Sequence, residues 1–114
     1  MAYELGKQNL SLNAGADFST AQFLGLVVAS QDVANIAGAD ANIIGVLQNT
    51  PPVGAACGVT TNGATKAVAG GAVTAGDLVG TDAAGKFVTG ASVTVGIALT
   101  DAAAANCVFT IELD

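Results

Sequence analysis

Apolar residues in this chain come in short runs of three to seven, cut by small and polar residues, and from position 23 onward every run reads as β-strand. Strands are expected at 23–29, 33–36, 43–48, 57–60, 65–68, 77–80, 86–88, 93–99 and 107–113. Val, Ile, Leu, Phe and Thr dominate these runs, and Gly, Asp and Asn clusters separate them. Asp82-Ala83-Ala84-Gly85 lies between two apolar stretches and reads as a hairpin turn closed by glycine at positive φ. Thr100-Asp101 followed by Ala102 to Ala105 suits a capped helix by propensity. Its counterpart in the first half contains Pro51-Pro52, which no helix interior accommodates, so both segments are read as strand connections.

The runs repeat. At an offset of 51 positions Gly45-Val46-Leu47 falls on Gly96-Ile97-Ala98, Val27-Val28-Ala29-Ser30 on Leu78-Val79-Gly80-Thr81, and Ile36-Ala37 on Phe87-Val88, with no gap between 27 and 47. A slip of one residue brings Cys57-Gly58-Val59-Thr60 onto Cys107-Val108-Phe109-Thr110. The expected fold is therefore all-β, a small barrel or sandwich built from two duplicated half-units at about 23–60 and 74–113. The half-units are expected to be related by a pseudo-two-fold, each with one long strand, 43–48 and 93–99. Residues 14–114 then form a single β domain. Residues 1–13 carry Tyr3, Leu5, Leu10 and Leu12 without a full strand or helix pattern and are read as an extended N-terminal arm. Those four side chains have no place in the repeat and need a surface, so they are the candidate partner-binding residues.

Composition narrows the function. Hydrophobic residues are 52% of the 114-residue chain but aromatics only 4%, and there are 15 Gly. A core built so largely of Ala and Val is thin, because a buried Ala contributes far less than the roughly 1.5–3 kcal/mol of a buried Val, Leu or Phe. Self-association or a partner surface is expected to add stability. The net charge of −6, with three Lys and no Arg, argues against nucleic acid. No run approaches the ~18 apolar residues of a membrane helix, and the N-terminus lacks the pattern of a signal peptide. The expectation is synthesis inside a cell, with Cys57 and Cys107 as free thiols.

No constellation carries chemistry. Gly80 to Lys86 matches the spacing of a phosphate-binding loop, but Phe87 stands where the motif needs Ser or Thr, and a strand follows where it needs a helix. The chain contains no His, so neither cysteine has an imidazole to activate it, and two cysteines do not make a zinc site. Asp77, Asp82 and Asp101 read as turn residues, since a calcium loop would require alternating oxygen ligands that are missing. Catalytic residues, cofactor and metal are each expected to be none.

Ordered strings point to a family: Ile44-Gly45-Val46-Leu47-Gln48-Asn49-Thr50-Pro51, Gly58-Val59, then the run from Lys66 to Val79 that includes Ala69-Gly70-Gly71-Ala72 and Thr74-Ala75-Gly76-Asp77, then Asp82-Ala83-Ala84-Gly85-Lys86 and Val95-Gly96-Ile97-Ala98-Leu99. Over residues 23–113 the chain resembles the capsid decoration, or cement, proteins of tailed bacteriophages. The resemblance implies a non-enzymatic virion protein on the outer surface of the phage head, assembled in the host cytoplasm. It also implies a major capsid protein as partner and a homotrimer as the working form. The competing readings are another virion or surface β module, such as a head fibre or tail component, and a small enzyme.

Overall fold

The computed structural model describes residues 5–113, and among them there are nine strands and no helix: β1 Leu5–Ala14, β2 Gly25–Ser30, β3 Val33–Ile36, β4 Gly45–Leu47, β5 Ala56–Val68, β6 Leu78–Thr81, β7 Phe87–Thr89, β8 Gly96–Ala98 and β9 Val108–Leu113. The expected runs at 57–60 and 65–68 are one thirteen-residue strand, β5. The two strands expected to be long, 43–48 and 93–99, are only three residues each. Length resides instead in β5 and β1, which pair with each other.

Pairing runs β1-β3-β2-β4-β5, and β5 pairs back onto β1, closing a five-stranded barrel. From the second half of β5 the sheet continues through β9, β8, β6 and β7, and a parallel bridge from Ala69 to Phe87 returns β7 to the end of β5. The first barrel closes in the same way, by a parallel contact of Ala14 with Ala34. Thus β5 is the last strand of one unit and the first of the next, and its second half takes the place that β1 holds in the first unit.

Strand register makes the duplication explicit. Ala14 corresponds to Ala69, Leu26 to Val79, Ala34 to Phe87, Val46 to Ile97 and Thr60 to Glu112, because each pair has the same cross-strand partners in its own unit. The offset is 55 at β1, 53 at β2 and β3, 51 at β4 and 52 at β5. The ungapped 51-residue alignment therefore holds only at β4, and Phe87 is the counterpart of Ala34 where the sequence suggested Ile36. Cys107 likewise matches Ala55, since Ala14 N–H donates to Ala55 and Ala69 N–H to Cys107, each at 2.8 Å. Loop bonds repeat as well. Phe18 N–H donates to Pro51 at 2.9 Å as Val73 N–H does to Ala102, and Ala102 returns a bond that Pro51, lacking an N–H, cannot.

Each unit has its own core. The first holds Ala14, Phe18, Leu26, Ala34, Leu47, Cys57 and Val59, and the second Ala69, Val73, Val79, Phe87, Ala98, Phe109 and Ile111 in corresponding places. Large and small residues trade positions between the copies, Phe18, Leu26 and Leu47 against the smaller Val73, Val79 and Ala98, and Ala34 and Cys57 against the larger Phe87 and Phe109, so gains at some places offset losses at others. The alternation of β4 joins the two cores: Leu47 points into the first and Val46 into the second. Phe23 adds to this joint. It sits at φ 68 where its counterpart Gly76 has φ 94, and its side chain packs against the second core.

The N-terminal segment read as an arm is extended, and from Leu5 it is a sheet strand. It pairs antiparallel with β5 from Leu5–Ala64 to Asn13–Ala56 and parallel with β3 at Asn13 and Ala14. Apolar residues at every second position, Leu10, Leu12 and Ala14, are the strand period that carries it.

Candidate interaction surface

The chemistry-bearing residues are occupied in holding turns. Asp82 accepts from the N–H groups of Ala84 at 2.9 Å and Lys86 at 3.0 Å, which fixes the β6–β7 hairpin with Gly85 at φ 79. The apparent phosphate loop is this hairpin. Asp77 accepts from Thr74 N–H at 3.0 Å and Asp101 from Ala75 N–H at 2.7 Å, tying two loops of the second unit together. Asp40 accepts from Ser92 N–H at 2.8 Å and links the loop after β3 to the loop before β8. Among the described residues no three of the His, Cys, Asp and Glu side chains converge as metal ligands.

Cys57 lies fully buried in the first core and burial pushes its thiol up from the ordinary value of 9.0, whereas Cys107 is half-buried beside the second core. Both thiols are free. A disulfide reagent is expected to modify Cys107 first and Cys57 only when the first barrel opens, as read by mass spectrometry with and without urea. A raised folded pKa contributes stability below the unfolded thiol pKa, and that stability disappears as pH rises through the folded value. Alkaline destabilisation above about pH 9 should therefore diminish in Cys57→Ala.

A concavity of about 190 Å³ opens where β4 and β9 abut along β5, lined by Ile43, Ile44, Gly45, Thr61, Thr94, Val95 and Leu113. It is smaller than the ~300–1,000 Å³ of ordinary small-molecule sites. What the molecule offers is surface. Among the described residues the exposed large apolar side chains are Leu10, Val28, Val53, Leu78 and Val108.

Of the four residues expected to bind a partner, Tyr3 lies outside the described residues. Leu5 begins β1 opposite Ala64. Leu10 is 36% exposed, and Leu12 is half-buried against Ala14 and its neighbours in the first core. Leu12 is thus taken into structural use, while Leu10, on the same face of the strand, stays nearer the surface. Val28 and Leu78, both more exposed than Leu10, were missed because each reads as an ordinary apolar member of a strand.

The profile of the phage cement protein family matches residues 14–113. Among solved structures, the head fibre gp8.5 N base of bacteriophage phi29 is similar with a TM-score of 0.73, covering 96% of this chain and 95% of that chain at 17% identity. That likeness establishes the fold. No curated protein matches.

Proposed function

Because the chain belongs to the phage cement protein family, a family of structural proteins of the phage head, we propose that it decorates the outer surface of the head and holds neighbouring copies of the major capsid protein together, acting there as a homotrimer. The family match over nearly the whole sheet carries this reading. The structure is suited to it: two small barrels share one wall through β4 and β5, and the carboxylates brace loops. Many weak contacts by such a protein, repeated over a shell, are multiplied into firm attachment. Leu10, exposed on β1, is the arm residue proposed to touch the capsid protein.

The test is addition of purified protein to expanded heads that lack it. Saturable co-sedimentation and density on the outer face between capsomers are expected, with weaker binding by Leu10→Asp. Absence of co-sedimentation overturns the reading. Density confined to a fibre or the tail instead selects the head-fibre or tail-component alternative, for which the fold of the phi29 head fibre base is the favouring observation.

A further inference from the structure

The duplication exposes on the second unit a surface that the first unit buries. In the first unit Gly25, Val46 and Thr60 form a cross-strand row over β2, β4 and β5. Val46 and Thr60 are completely buried and Gly25 is buried with them: Val46 packs in the core of the second unit, Gly25 lies under that unit's hairpin, and the Thr60 hydroxyl donates to Asn9 of β1. Thr81 and Phe87 pack onto Gly25, where an added Cβ would meet the Thr81 methyl at 2.8 Å and the Phe87 ring at 3.4 Å, and Gly25 N–H donates to Gly85 at 2.9 Å. The same row in the second unit is Leu78, Ile97 and Glu112 over β6, β8 and β9. Among the described residues no third unit covers it. Leu78 is 59% exposed, Ile97 half-buried and Glu112 exposed.

The covering side has its own unpaired counterpart. Thr81 and Gly85 of the second unit's hairpin, which seat on Gly25, correspond to Val28 and Asp32 in the hairpin of β2 and β3. Thr81 is buried and its hydroxyl donates to Gly38 at 2.8 Å, whereas Val28 is 53% exposed. The chain therefore displays, at opposite ends of its series of units, one row without a cover, apolar at Leu78 and Ile97, and one hairpin without a row.

We propose that Val28 and the β2–β3 hairpin of one copy seat on the Leu78–Ile97 row of a second copy, so that the contact joining the two units within a chain is reused, head to tail, between chains. The proposal deepens the homotrimer reading above and rests on self-association. The contact is heterologous, with different surfaces meeting, and such contacts close into rings when their rotation allows. Leu78 in place of Gly25 holds the second copy farther out than the intramolecular packing, so the angle between copies differs from the angle between units.

Sedimentation velocity across micromolar concentrations tests it. Wild type is expected to associate, and Leu78→Asp and Val28→Asp each to sediment as folded monomers, with dissociation constants raised about a hundredfold or more. Mixing the two variants is decisive: each retains the surface the other lacks, so the mixture should form dimers and nothing larger. Unchanged association in either variant, a mixture that stays monomeric, or wild type that is monomeric throughout overturns the proposal. Shell binding is scored separately. Wild type that associates through Leu78 yet ignores phage heads defeats the cement reading alone, whereas Leu78→Asp that stays associated but no longer binds heads assigns the row to the capsid and defeats this one.

Discussion

Deleting residues 1–12 is expected to unfold the first barrel. The strand removed is the one that closes it, pairing with β5 over its length and handing on to β3 at Asn13 and Ala14. Without it the barrel has two open edges, the Thr60 hydroxyl loses its 2.7 Å bond to Asn9 Oδ1, and Leu12 no longer covers the core of Phe18, Leu26, Cys57 and Val59. That core is already small. The expected loss is several kcal/mol, a large share of the ~5–15 kcal/mol typical of a domain. Urea unfolding and amide hydrogen exchange check it: amides of β3 and the first half of β5 should lose protection, while those of β8 and β9 keep more of theirs. A truncated protein with unchanged midpoint and protection would show that β1 is a detachable arm.

The same strand shows how far the sequence could be read. All-β class, the approximate places of the strands after residue 23, the Asp82–Gly85 hairpin and the existence of a duplication were legible, since each rests on local signals: alternation, turn residues and the recurrence of Gly-Val-Leu as Gly-Ile-Ala. The extent of the repeat was not. Its true offset drifts from 55 to 51 along the chain, and at its core positions Phe faces Val, Ala faces Phe and Cys faces Phe, so no ungapped comparison keeps both ends aligned. With the offset of 51, residues 1–13 have no counterpart. At 55, Ala14 meets Ala69 and β1 falls on the second half of β5, a continuous strand that reads as two separate runs because Thr61, Asn62 and Gly63 interrupt its apolar pattern.

The candidate surface was illegible for a related reason. That Gly25 in one copy stands where Leu78 stands in the other is informative only at an offset of 53, and only once the first row is known to be buried and the second bare. Exposure of a single strand leucine is ordinary. Its meaning here comes from the comparison of two units within one fold, a tertiary fact that periodicity does not carry. The family resemblance, by contrast, was readable early because it rests on an ordered series of turn and glycine strings, each local in the sequence.

Gly96→Ala and Gly45→Ala are expected to be among the most damaging point substitutions. At Gly96 an added Cβ would collide with the carbonyl oxygen of Glu112 on β9, and at Gly45 with that of Thr60 on β5. The obstructing atoms belong to backbone held in ladders, so no side-chain rotation gives relief. The strands must move apart, and β8 and β4, three residues each, have few pairs to lose: Gly96 is itself one of the three β8 residues paired with β9. This constraint is why glycine recurs in both copies at a position where neighbouring core residues differ. The expected cost is about 3 kcal/mol or more, a fall in melting temperature of about 12–24 °C for a chain of this size. Gly71→Ala, where an added Cβ meets nothing within 4 Å, is the control and should stay within about 0.5 kcal/mol of wild type. Urea and thermal unfolding of the three variants decide the matter, and a loss below about 1 kcal/mol in Gly96→Ala would show that β8 and β9 can separate without opening the second barrel.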